Sequence, residues 1–333
     1  MSIDRIVASP TSPMPEPYRS YVAERSAALA GVMDDFLPPG LGVQLCPKAI
    51  MPDEVVVGEH DVVYGAVVQK PADGLKSVLY AESGDRGGMA YSAAEAVNLA
   101  QGFLAQGERV RIKDPAESDG RGQHTVDGES GVAAIAGTYP GIAEHGLVIM
   151  PHLEIADDGR FSVGMVDFGP GGAGIRIARE FTTTHPDGSQ VRGGGELAMV
   201  RSGDEEALTI ASQELGVPER VISAGLEAIE RYLKIAKRVG CVSVDVISGK
   251  TDSGRDLTLV VDITPRVNGF SGEEVLAMRE LAQNPDAQVV FAHDHLSYNA
   301  NRRTQINPGD LVLVNQPSLL MVAGIGRILE KRS

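Results

Sequence analysis

The sequence predicts an α+β protein of two or three packed units. Short β-branched runs broken by Gly, Pro and Asp read as strands, among them Val43-Gln44-Leu45, Val55-Val56-Val57 and the run from Val62 to Val68. Two segments carry helix boundaries: Ser92-Ala93-Ala94-Glu95 before an apolar stripe that ends at Gly107, and Pro218 before a stripe that runs toward Gly240. The strands and helices do not alternate strictly, which argues against a purely parallel α/β sheet.

The elements follow in order. The first 17 residues hold four prolines and read as an extended arm. Residues 18–34 read as a helix that Pro38-Pro39-Gly40 stops. Ala96, Leu99, Ala100, Phe103 and Leu104 recur at helical spacing after the capping box, in which Ser92 and Glu95 satisfy each other's backbone NH. Arg109–Lys113 reads as a strand, then a glycine-containing loop over 119–122, then a strand from Gly146 to Met150. Strands alternate with glycine clusters over 160–200, and clusters 169–174 and 193–195 read as turns or substrate-loop backbone. The 218–238 helix buries Val221, Ile222, Gly225, Leu226, Ile229, Tyr232, Leu233 and Ala236. A hairpin follows, Val242–Ile247 and Leu257–Ile263 about the polar turn Asp252-Ser253-Gly254. A short helix near 272–281 and strands near 288–291, 311–315 and 319–328 close the chain.

Composition narrows the function. A net charge of −15 repels a phosphate backbone, so nucleic acid is not the expected partner. No run of about 18 apolar residues predicts a membrane span, and the N-terminus lacks the apolar stretch of a signal peptide. Cys46 and Cys241 have neither metal nor CxxC spacing and read as core residues of a protein in the reducing cytoplasm.

Two groups of residues carry chemistry. Lys113 ends a strand beside the loop Asp119-Gly120-Arg121-Gly122-Gln123, where an ammonium and accessible backbone NH groups suit a phosphate chain; a solvated hairpin tip is the other reading. Asp262, Thr264 and Arg266 share one strand face, and Asp245 on the preceding strand can lie beside Asp262. Two converging carboxylates call for a hard divalent cation, unless that face is solvated. His293-Asp294-His295 reads as a partly exposed loop, since neighbours on a strand point to opposite faces. Arg176, Arg179 and Arg192 flank the glycine clusters and are open either to a substrate carboxylate or to solvent. No GxSxG elbow supports a serine hydrolase, and no strand–GxGxxG–helix context supports a Rossmann site.

Taken in order, these elements resemble the ATP-grasp superfamily over roughly residues 76–280, and within it an uncharacterised bacterial, biotin-carboxylase-like branch. The family pattern is a strand-end lysine, a glycine-rich flap, a hinge strand, a long helix, a carboxylate strand, and a strand reading Glu-x-Asn-x-Arg. Here Lys113, the 119–123 loop, the 147–154 segment, the 218–238 helix, Asp245 and Asp262-x-Thr264-x-Arg266 stand in those places. The resemblance implies two α+β subdomains closing on a nucleotide: an N-terminal segment (1–78), an ATP-grasp core (79–280, flap about 107–152, metal-binding sheet about 153–280) and a C-terminal β extension (281–333). It implies that ATP is held by Lys76 (with Lys70 as competitor), Lys113, Gly120, Arg121, Gly122, Gln123, Met150, His152, Leu153 and Glu154. Asp245, Asp262, Thr264 and Asn268 would bind Mg²⁺, or Mn²⁺ in its place. Arg266 and Lys113 would be catalytic, in a ligase joining a small-molecule carboxylate to an amine, with a homodimer left open. Asp262 stands where the family carries Glu, and Thr264 where it carries Asn. A degenerate nucleotide-binding sensor or scaffold is therefore the alternative, beside a carboxylase- or kinase-like phosphoryl transferase.

Overall fold

The computed structural model of the chain describes residues 6–8, 18–39, 41, 43–46, 62–64, 66–67, 86–114, 122–236, 238–298 and 306–331. The first elements are β1 (Ile6–Ala8), α1 (Tyr18–Phe36), β2 (Val43–Leu45), β3 (Val62–Tyr64) and β4 (Ala66–Val67). Then come β5 (Gly88–Ala90), α2 (Ala93–Leu104), β6 (Val110–Lys113), β7 (Gln123–Val126), α3 (Glu129–Thr138), α4 (Ile142–His145) and β8 (Leu147–Pro151). The central strands and helices are β9 (Glu154–Asp167), β10 (Ala173–Thr184), β11 (Gln190–Arg201), α5 (Glu205–Leu215), α6 (Glu219–Leu233), β12 (Arg238–Val239), β13 (Cys241–Lys250) and β14 (Asp256–Thr264). The chain closes with α7 (Ser271–Gln283), β15 (Ala287–Ser297), β16 (Leu311–Gln316) and β17 (Leu319–Glu330). The fold is α+β, as the sequence predicts.

An eight-stranded sheet in the order β14-β13-β9-β10-β11-β15-β17-β16 forms the body, and every neighbouring pair in it is antiparallel. Alternation divides its side chains between two faces. Val163, Ile177, Ala198, Val244 and Val246 point to one face and meet Ala207, Ala211, Val221, Ile222 and Ile229 of α5 and α6. Ala178, Leu197, Met199, Val290 and Ala292 point to the other, under Leu29, Met33, Leu276 and Met278 of α1 and α7. Burying each Val, Leu, Ile or Met among them contributes about 1.5–3 kcal/mol.

The second sheet, β5-β8-β6-β7, is also antiparallel. Val110, Ile112, Leu147 and Ile149 on one face pack on Ala96, Ala100 and Phe103 of α2 and Val132 and Ala136 of α3. The other face carries Arg111, Lys113, Val148 and Met150 in register. Val148 and Met150 join Leu153 and Leu259 in a small apolar seam against the β13–β14 hairpin, so two sheets face each other there.

Several expectations change in detail. Ser92 accepts from Glu95 N at 3.2 Å, but Glu95 reaches back to Tyr91 N, one residue earlier than a capping box. The helix expected over 218–238 ends at Leu233, because Arg238–Val239 is drawn into pairing with β4. Glycines 193–195 lie inside β11, not in a turn. A Cβ on Gly195 would stand 2.5 Å from the Phe270 ring and one on Gly194 would stand 2.4 Å from the Asp294 carbonyl, so the glycines admit close neighbours. The expected strand at Val55-Val56-Val57 lies outside the described residues. Helices α3 and α5 were not anticipated. No helix among the described residues is long and apolar enough to cross a membrane.

Candidate active site

The β13–β14 pairing sets Asp245 directly opposite Asp262. The register shifts beside them, making Val261 an additional residue in β14, which is a bulge. Ser162 on β9 is the other neighbour of Asp245, and its Oγ lies 3.2 Å from both Asp245 Oδ1 and the Val244 carbonyl. Arg176 donates to Ser162 Oγ at 3.1 Å. This guanidinium is fully buried, with Nε 2.8 Å from Glu274 Oε1 and the Phe270 ring 4.5 Å away. Tyr64 donates to the second Glu274 oxygen. Gly164 lies opposite Arg176 and leaves room for it.

Burial pushes the Asp245 carboxyl up to about 7, and Glu180 and Asp262 add to that by repulsion. Glu180 on β10 and Asp262 on β14 thus act on Asp245 from its two sides. Asp262 Oδ1 accepts from the Ile263 NH at 2.9 Å. The opposing carboxylates are hard oxygen donors and suit Mg²⁺. Among the described residues no group of three or more His, Cys, Asp or Glu is placed to hold a metal. Any ion here would therefore lean on substrate oxygens.

The facing wall comes from the smaller sheet. Lys113 Nζ donates to the Val261 carbonyl at 2.8 Å, the residue beside Asp262. Arg111, two residues earlier, donates to Gln123 Oε1 at 2.9 Å and stands 3.4 Å from His152 Nδ1. Burial holds His152 below its ordinary value, with Arg111 and Arg109 lowering it further, so the ring is neutral at pH 7. Met150 and Leu153 are buried in the seam. Glu154 is exposed and pairs with Arg109 at 3.2 Å.

The remaining sequence-predicted residues divide. Thr264 is nearly buried opposite Ser243, and Arg266 donates to the Val267 carbonyl at 3.3 Å. Asn268 is committed to internal partners: Oδ1 accepts from Phe270 N at 2.8 Å in its own loop, and Nδ2 donates to Ser243 Oγ on β13 at 3.3 Å. Gly122 has φ +61°, and its carbonyl accepts from Asp114 N. Lys70, Lys76, Gly120 and Arg121 lie outside the described residues. The arginines left open to a substrate carboxylate have internal partners instead. Arg176 serves Ser162 and Glu274, Arg179 donates to Leu215 O at the end of α5, and Arg192 grips Asp294 with two bonds of 2.6 and 2.9 Å. Asp294 is accordingly buried in β15 and not part of an exposed loop. The sequence reading missed Arg111, Ser162 and Glu180. Period-two alternation from Lys113 would have found Arg111; nothing local marks the other two.

No curated protein matches the sequence. The structure is similar to a biotin carboxylase from Campylobacter jejuni complexed with β-γ-ATP, at 9% identity and TM-score 0.49, covering 96% of this chain and 87% of that one. It is also similar to the biotin carboxylase domain of the Hydrogenobacter thermophilus 2-oxoglutarate carboxylase, bound to MgADP, ADP and bicarbonate, at 11% identity and TM-score 0.46. That match covers 77% of this chain and spans 62% of the other. A third is phosphoribosylglycinamide synthetase from Anaerococcus prevotii, at 9% identity and TM-score 0.45, covering 96% and 93% of the two chains. All three TM-scores lie below 0.5. Residues 79–317 match the family described as "Protein of unknown function (DUF3182)", and the chain belongs to that family.

Proposed function

We propose that the chain is an ATP- and Mg²⁺-dependent ligase of ATP-grasp type, which activates a carboxylate as an acyl phosphate for attack by an amine. The observation that carries this reading is the 2.8 Å bond from Lys113 Nζ to the Val261 carbonyl. It sets a cation of one sheet beside the Asp245–Asp262 pair of the other. A polyphosphate between the two walls would meet positive charge on one side and a metal-binding pair on the other.

In the proposed reaction a substrate carboxylate oxygen attacks the γ-phosphorus, the bond to the β-phosphate oxygen breaks, and ADP leaves. The amine then attacks the acyl carbon and inorganic phosphate leaves. Lys113 would hold the phosphate chain and Arg266 would stabilise charge on the transferring group, while Arg176 keeps Ser162 and Asp245 in place. Magnesium held by Asp245 and Asp262 would neutralise phosphate charge. The nucleotide would lie between the 107–152 flap and the 153–280 sheet, with its base against Met150, His152, Leu153 and Glu154. Cytoplasmic location fits the two buried thiols of Cys46 and Cys241, which form no disulfide.

Thermal unfolding with ATP and Mg²⁺ tests binding, and ADP release over pools of carboxylic acids and amines tests turnover. Lys113→Ala should abolish the thermal shift and cut ADP release by about 100-fold or more. An unchanged shift would remove Lys113 from the site.

One observation favours a second reading. Asn268 is engaged by its loop and by Ser243 of β13, and Thr264 offers only a hydroxyl, so the metal set is thin. A nucleotide-binding sensor or scaffold would show ATP stabilisation with no ADP released from any acceptor.

A further inference from the structure

We propose that Arg111 is a second phosphate-binding cation, acting with Lys113 on the phosphate chain of the nucleotide; this rests on the ATP-binding reading above. The two residues lie two apart on β6 and so share a face, the one that looks toward β13 and β14. Arg111 is partly buried, and its recorded partners are neutral: the Gln123 amide oxygen at 2.9 Å and the His152 ring at 3.4 Å. Among the described residues it makes no ion pair, whereas Arg109, Arg176, Arg192, Arg255, Arg279 and Arg327 each meet a carboxylate.

A guanidinium keeps its charge at any physiological pH, and desolvating it without a counter-charge is costly. Burial alone lowers the Arg111 value, with no acid to offset it. Gln123 and His152 fix the orientation of the plane, no carboxylate among the described residues compensates the charge, and an anion would complement it. Gln123 is also the cross-strand partner of Lys113, which links the three side chains in one array. Residues two apart on a strand are separated by about 6.6 Å. A di- or triphosphate can lie along that spacing and meet both cations.

Affinities of ATP, ADP, adenosine and inorganic tripolyphosphate measured on wild type, Arg111→Gln and Arg111→Lys test the proposal. Arg111→Gln should weaken ATP, ADP and tripolyphosphate by about 10- to 100-fold and leave adenosine unchanged, with Arg111→Lys falling between. Equal ATP affinity in Arg111→Gln and wild type would overturn it, as would an equal loss for adenosine, which marks a base-contacting or purely structural role. Should Arg111→Gln not fold, Arg111→Lys decides. Loss of the planar fork still predicts a several-fold drop for tripolyphosphate and none for adenosine, and the absence of that drop overturns the proposal. Failure of ATP to bind wild type would bring down the ligase reading and this one together. Binding lost in Lys113→Ala but intact in Arg111→Gln would bring down this one alone.

Discussion

Gly164 supports the buried guanidinium by having no side chain. A Cβ there would stand 2.7 Å from Arg176 Nε and 3.2 Å from its central carbon, and Arg176 is boxed in by Glu274, Ser162 and the Phe270 ring. Gly164→Ala should therefore destabilise the protein by about 1–3 kcal/mol, the usual cost of overpacking. Because Arg176 orients Ser162 beside Asp245, the proposed ligase activity predicts that ADP release falls with it. Urea denaturation checks the first effect, and a loss under about 0.5 kcal/mol would show that Arg176 has room to move. At this scale the sequence was partly legible. Lys113, Asp245 and Asp262 announce themselves by residue type and strand position. Arg176 could not be told from a surface arginine, because its burial depends on α7 and the loop before it.

At the scale of elements, the turn after α2 grips the tip of the β13–β14 hairpin. Glu108, only 1% exposed, accepts from Ser253 Oγ at 2.6 Å and from Arg255 Nη2 at 3.1 Å. Arg109 takes Asp252 with its backbone NH at 2.8 Å and its side chain at 2.6 Å. Burial pushes the Glu108 carboxyl up, but hydrogen bonds from Ser253, Thr251 and Arg255 outweigh it and hold the group below its ordinary value. The folded state therefore binds this proton less readily than the unfolded chain does. The stability from Glu108 is complete above the unfolded value of about 4.3 and drains away as pH falls through the lower folded one. Glu108→Gln should unfold at lower urea than wild type at pH 7, with the gap closing toward pH 3. A gap that persists in acid would refute the ionised form as its source. Two helices escaped the sequence reading, one with a broken pattern and one with clear caps but little apolar stripe. Glycines 131 and 137 interrupt the α3 pattern, and α5 is bracketed by Asp204 and Gly216 but carries a short apolar stripe.

For the whole molecule, β15 and β17 are interior to the main sheet and β16 forms its edge. β15 lies between β11 and β17, and Val289 and Val290 are fully buried there. A chain ending at residue 280 would expose the β11 edge and strip α7 of part of its support. It should be insoluble or lack a cooperative unfolding transition, as circular dichroism and thermal melting would register. A sharp transition in that fragment would mean that residues 281–333 are a separable extension.

By itself the sequence determined the α+β class, the order of helices and strands from 86 onward in outline, and the acid pair on one hairpin. These follow from periodicity, glycine and proline punctuation and cross-strand pairing, which act over a few residues. Only the tertiary structure decided that Lys113 meets the strand of Asp262, that Arg111 turns toward the same seam, and that Asn268 is spent partly on Ser243 of β13. Such outcomes depend on contacts between residues far apart in the chain, as with the 148 positions between Lys113 and Val261. No local pattern of side chains encodes the packing of one sheet against another.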